Sequence, residues 1–160
     1  MLQNLKIFRR VSEIIILLSI FYIILSCNEN LVKITEPLFS VSEPEYRSNE
    51  EDERCLLGGV YFDFYNKAGC NVVFIEIRMN VYDKTTGTSA FTGYGTIISE
   101  NEVVVSSNEK RELCVPLDDY ITVISQSGYF IDQFYVSKIE YEDGRQWSDD
   151  LGLYAISSRE

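Results

Sequence analysis

Val73-Phe74-Ile75-Glu76-Ile77-Arg78-Met79-Asn80-Val81 decides the fold class. Val73, Ile75, Ile77, Met79 and Val81 form one apolar face, and Glu76, Arg78 and Asn80 form the other. Successive side chains of an extended chain point to opposite faces, so strict period-two alternation predicts a half-buried β-strand. A helix would distribute the same apolar residues around its circumference.

The same pattern extends in both directions. Upstream, Val60, Phe62 and Phe64 alternate with Tyr61, Asp63 and Tyr65, and Asn66-Lys67-Ala68-Gly69 supplies a turn. Downstream, Lys84-Thr85-Thr86-Gly87 marks another turn. Further strands are expected at Phe91 to Ile98, around Leu113, Val115 and Leu117, at Tyr120 to Ile124 and at Phe130 to Tyr141. Val103-Val104-Val105 reads as a short strand or a loop end. Glu142-Asp143-Gly144 suits a three-residue hairpin loop with Gly144 in the left-handed region. That register sets Ile139 opposite Trp147 and Tyr141 opposite Arg145, so that Trp147 shares the apolar face. Leu151 to Ile156 fits a final strand or one helical turn. About seven short strands without an amphipathic helix predict an all-β antiparallel β-sandwich over residues 55–160.

The N-terminus has a different character. Lys6, Arg9 and Arg10 precede the apolar stretch Ile14 to Leu25, and Ile24-Leu25-Ser26-Cys27 closes it. This layout is that of a secretory signal peptide, and its end resembles the lipobox of bacterial lipoproteins. The resemblance implies cleavage after residue 26 and lipidation of Cys27 by diacylglycerol and fatty acid such as palmitate. The competing reading is an uncleaved anchor helix. Glu13 leaves an apolar run of about 13 residues, below the roughly 18–20 that span a bilayer. A diacylated cysteine supplies the two acyl chains that stable anchoring needs. The chain is then expected in the bacterial cell envelope, held on the membrane by its lipid. Asn28 is not the aspartate that resembles an inner-membrane retention signal, which points to the outer membrane, periplasmic or surface-exposed.

Residues 27–54 read as the lipidated cysteine and an acidic tether, with Pro37, Pro44 and the run Glu50-Glu51-Asp52-Glu53. Leu31 to Leu38 is the part of it that could dock as an edge strand. Net charge is −11, and loss of residues 1–26 removes three basic residues and one acid, leaving −13. Such a balance repels nucleic acid and anionic headgroups.

Part of the domain resembles the bacterial FxLYD family of immunoglobulin-like domains. Met79-Asn80-Val81-Tyr82-Asp83 corresponds to its strand motif, with Tyr82 and Asp83 matching and Gly87 in the following turn. Asn66-Lys67-Ala68-Gly69 is similar to the family's turn between its first two strands. Met79 stands in place of Phe and Val81 in place of Leu. The resemblance implies an immunoglobulin-like fold and an envelope location, and it carries over no catalytic residues.

Candidate chemistry is sparse. The chain has no histidine, which removes serine–histidine catalysis and histidine metal sites. If Cys27 is lipidated, Cys55, Cys70 and Cys114 remain, allowing one disulfide and one free thiol with three pairings open. Asp118-Asp119 and Asp149-Asp150 could together offer oxygen ligands to Ca²⁺, but without EF-hand spacing they read as loop acids, and no metal or other cofactor is expected. Ser125-Gln126-Ser127-Gly128-Tyr129 has the composition of a binding loop, in which Tyr supplies area and Ser and Gly supply adaptability. The resulting expectation is a non-enzymatic envelope protein, a binding or structural module for a protein or glycan partner. The alternative is an inhibitor or accessory subunit of an envelope hydrolase.

Overall fold

The computed structural model describes residues 36–48, 55–91, 95–121 and 125–157, all within the unit Thr35–Glu160. Eight strands and no helix occur among them: β1 (Phe39–Val41), β2 (Glu45–Arg47), β3 (Gly59–Asn66), β4 (Val72–Asp83), β5 (Thr96–Val105), β6 (Lys110–Pro116), β7 (Tyr129–Tyr141) and β8 (Gln146–Ser148). The proposed signal peptide and Cys27 lie outside the described residues.

The strands form two antiparallel sheets packed face to face. In the first, β3 is flanked on one side by β1 and β2 and on the other by β6; the second has the order β5-β4-β7-β8. In immunoglobulin-type notation this order is A–B–E against C′–C–F–G. Val60, Phe62 and Phe64 of β3 point inward, opposite Ile75, Ile77, Met79 and Val81 of β4. Aromatic contacts join the layers. Phe62 packs on Phe134 at 4.9 Å, and Phe39 meets both Phe64 at 5.5 Å and the Trp147 edge at 4.9 Å.

Two details refine the alternation. A register shift between Val72 and Phe74 marks a bulge at the start of β4. The extra residue reverses the in–out sense, so Val72 enters the core and Val73 is only half-buried. The five-residue apolar face predicted from Val73 therefore begins at Val72. Buried Asn66 ends β3 and ties the turns together. Its Nδ2 donates to the carbonyls of Cys70 (2.9 Å), Val105 (3.0 Å) and Ser106 (3.1 Å), and its Oδ1 accepts from the Ala68 amide.

The last hairpin has the expected register. Ile139 pairs with Trp147, Gly144 has φ +83°, and its amide donates to the Tyr141 carbonyl at 2.9 Å. Trp147 is 7 % exposed.

Elsewhere the sequence reading needs correction. Residues 27–54 are not wholly a tether, since β1 and β2 lie within them and pair with β3. Pro44, which has no N–H to donate, stands between them at the sheet edge. The strand expected at Phe91 to Ile98 begins only at Thr96, and Val103-Val104-Val105 is its continuation. Tyr120 sits in a turn after Leu117 rather than in a strand. Leu151 to Ile156 is a turn that ends in a single bridge between Ile156 and Phe134.

Candidate functional site

The outward faces of the two sheets differ. On β3, Tyr61 points away from the core yet is only 1 % exposed. Cys55 and Arg47 lie against it, and Cys55 begins a held segment, residues 55–57. Asp118 holds this segment by accepting from the Leu56 amide (3.1 Å) and the Leu57 amide (2.7 Å). The Tyr46 hydroxyl of β2 donates to the Leu57 carbonyl at 3.1 Å. The Arg47 guanidinium lies 4.7 Å from the Tyr61 ring centre and donates to Glu112 at 2.7 Å.

Cys55 Sγ lies 3.4 Å from Cys114 Sγ and 3.7 Å from the Tyr61 hydroxyl. Cys114 stands opposite Tyr61 in the β3–β6 register. Burial raises the Tyr61 hydroxyl pKa, and hydrogen bonds with Cys114 and Cys55 raise it further. Gly59 makes the space: a Cβ there would sit 2.7 Å from Cys114 Sγ and 2.9 Å from Cys55 Sγ. The signal available in the sequence was the Gly58-Gly59 pair at a strand start, which marks close approach. Cys70 is held apart. Its Sγ accepts from Arg145 Nη2 at 3.0 Å, beside the β3–β4 turn.

The outer face of the second sheet carries an open cleft of about 290 Å³, lined by Glu76, Arg78, Lys138, Gln146, Ser148 and Asp150 with the flank of Trp147. Its charges are paired along the strands. Arg78 Nε donates to Glu76 at 3.0 Å and the Ser137 hydroxyl to the same oxygen at 2.6 Å. Lys138 donates to Glu140 at 2.6 Å, and Gln146 Nε2 to the same oxygen at 3.1 Å. Burial opposes ionisation of Glu76, but the Ser137 hydroxyl and Arg78 outweigh it and hold the carboxyl below its usual range. Lys138 Nζ also lies 5.4 Å from the Phe74 ring centre. Beside it a shallower depression exposes Phe74, Val103 and Val104 between Glu102 and Glu140. The face offers polar donors and acceptors next to aromatic surface, a composition that can engage a polar ligand by hydrogen bonds and stacking.

The Ser125–Tyr129 loop is only partly of the expected kind. Tyr129 is buried, stacked edge-on against Tyr46 at 5.0 Å, and its hydroxyl accepts from the Ser125 amide at 3.2 Å. It is a packing residue, not an exposed aromatic tip. Gln126 and Ser127 are exposed, and Ser127 Oγ accepts from Thr85 Oγ1 at 2.5 Å. The Lys84 amide donates to the Gly128 carbonyl, so the loop leans on the β4–β5 turn.

The carboxylate pairs are not brought together into a cation site. Asp118 holds residues 56–57, and buried Asp149 accepts from the Leu153 and Tyr154 amides at 3.0 Å each. No cluster of His, Cys, Asp and Glu suited to a metal occurs among the described residues. Compared with known proteins, the chain matches no family model, no curated protein and no solved structure.

Proposed function

We propose that this chain is a non-enzymatic, lipid-anchored binding module of the bacterial cell envelope. The observation that carries the reading is the Leu25-Ser26-Cys27 ending of a short apolar run behind a basic N-terminus. Lipid on Cys27 anchors the chain, and the β-sandwich presents a surface. The resemblance to FxLYD domains is part of this reading, and the immunoglobulin-type strand order supports it. The open outer face of β5-β4-β7-β8 is the binding face, because it carries a cleft of hydrogen-bonding groups beside exposed aromatic surface. A surface polysaccharide or an envelope protein is the partner.

A second reading has one observation in its favour. Leu151 and Leu153 project at 76 % and 61 % exposure from a turn braced by Asp149. A held apolar turn is the kind of element an inhibitor or accessory subunit inserts into an enzyme cleft.

The test uses the full-length chain in a bacterial host fed labelled palmitate. The wild-type chain should take up label and Cys27→Ala should not; equal labelling would remove the lipoprotein reading. Pull-down from solubilised envelopes then separates the two functions. Glycan or a surface protein lost on Arg78→Glu favours the binding face. One stoichiometric hydrolase lost on Leu151→Asp favours the inhibitor.

A further inference from the structure

We propose that Cys55 and Cys114 are a disulfide-forming pair that staples the start of residues 55–57 onto β6, while Cys70 remains a thiol. Of the three pairings the sequence leaves open, the fold permits this one. The two sulfurs are 3.4 Å apart, so closing to the bond length of about 2.05 Å needs a side-chain movement of about 1.4 Å. Gly59 leaves room for both sulfurs where any other residue would place a Cβ against them. Cys70 lies beyond Asn66, at the opposite end of β3 from Gly59. Seven residues of strand separate those ends, roughly 23 Å, far outside disulfide reach.

The held segment explains why a bond belongs here. Cys55 follows the acidic run Glu50 to Glu53, with Arg54 between. Two hydrogen bonds from backbone amides to Asp118 and one from the Tyr46 hydroxyl otherwise hold this segment. The disulfide closes a loop of about 60 residues, which restricts the unfolded chain. The physiological setting rests on the envelope location proposed above, where thiol–disulfide oxidoreductases operate.

The chemistry follows from accessibility. Cys114 is partly exposed and Cys55 is 2 % exposed. Cys114 loses its proton to solvent, and its thiolate attacks one sulfur of the oxidant's disulfide, releasing the other as a thiolate that takes up a proton. Cys55 then gives up its proton and displaces the second oxidant sulfur. Two thiols are oxidised to one disulfide, and the oxidant disulfide is reduced to two thiols.

The test takes the purified full-length chain, reduced, into a buffer of oxidised and reduced glutathione, followed by alkylation and peptide mass spectrometry. The expected product is a Cys55–Cys114 peptide pair two hydrogens lighter than its reduced form, with Cys70 alkylated. Cys55→Ser should trap a glutathione adduct on Cys114, and Cys114→Ser should leave Cys55 without one. A Cys70-containing disulfide would overturn the pairing, as would alkylation of both Cys55 and Cys114 after oxidation. Cys27 in the same digest of membrane-derived chain reports separately. A lipid there supports the envelope reading, whereas an alkylated Cys27 removes that reading and leaves the pairing standing.

Discussion

The two sheets differ on the outside at the end of β3 that carries Tyr61. One end of the outer face of β3 is folded under its own chain: Tyr61 is as inaccessible as a core residue, flanked by Cys55, Arg47 and Cys114, whereas Asp63, Lys110 and Glu112 farther along reach solvent. The outer face of β5-β4-β7-β8 remains open, with paired charges around a cleft. Both faces come from alternating strands, so alternation alone does not say which face meets solvent. A covered face contributes to stability. An open one is available for recognition.

Tyr61→Ala is the strongest way to break this contrast. If the first face behaves as core, the substitution costs about 3–5 kcal/mol in urea unfolding. Lys138→Ala on the other face should leave the urea midpoint almost unchanged. Equal costs would mean that Tyr61 is not shielded.

Asp118→Ala tests the held segment itself. It leaves two amides without their acceptor and should cost about 1–2 kcal/mol. Amide exchange at Leu56 and Leu57 should accelerate while exchange along β4 stays slow. Uniform acceleration throughout the domain would show that the segment unfolds only with the whole.

Gly144→Val probes the open sheet at its hairpin. A β-branched residue at φ +83° should cost about 1–2 kcal/mol. Trp147 reports the outcome. Its emission in the wild-type chain should be blue-shifted and poorly quenched by iodide, and the substitution should shift it red. Freely quenched emission in the folded wild type would contradict the burial of the indole.

Glu76→Gln should produce a smaller effect than Tyr61→Ala, Asp118→Ala or Gly144→Val. The carboxyl is held below its usual range in the folded state, so its stabilisation is present above the ordinary glutamate pKa of about 4.3 and is lost as pH falls through the lower folded value. The substitution should cost under about 1 kcal/mol at neutral pH and flatten the acid-side loss of stability. An unchanged acid limb would show that the pairing with Arg78 and Ser137 does not contribute.

Much of the sandwich was legible from residue order. Ile75, Ile77, Met79 and Val81 declare their strand because side-chain direction in an extended chain repeats every two residues. Gly144 and the acids before it fix the last hairpin locally, and Trp147 follows from that register. Val73 misled because a bulge changes the in–out sense at one residue without altering composition. Phe39–Val41 and Glu45–Arg47 were hidden because three-residue strands are too short for periodicity, and pairing with β3 is what makes them strands.

The sequence by itself determined the all-β class, the inward face of the central strands, the last turn and the acidic charge. Each depends on neighbours a few residues apart, where backbone geometry alone relates the side chains. Only the tertiary structure decided that Cys55 meets Cys114 rather than Cys70, that Asp118 and Asp149 hold backbone amides, that Tyr129 is packing, and that outward-pointing Tyr61 is buried. Apart from the local bonds of Asp149, those relations join residues as many as 83 positions apart, and they exist only once strands distant in sequence have paired and packed.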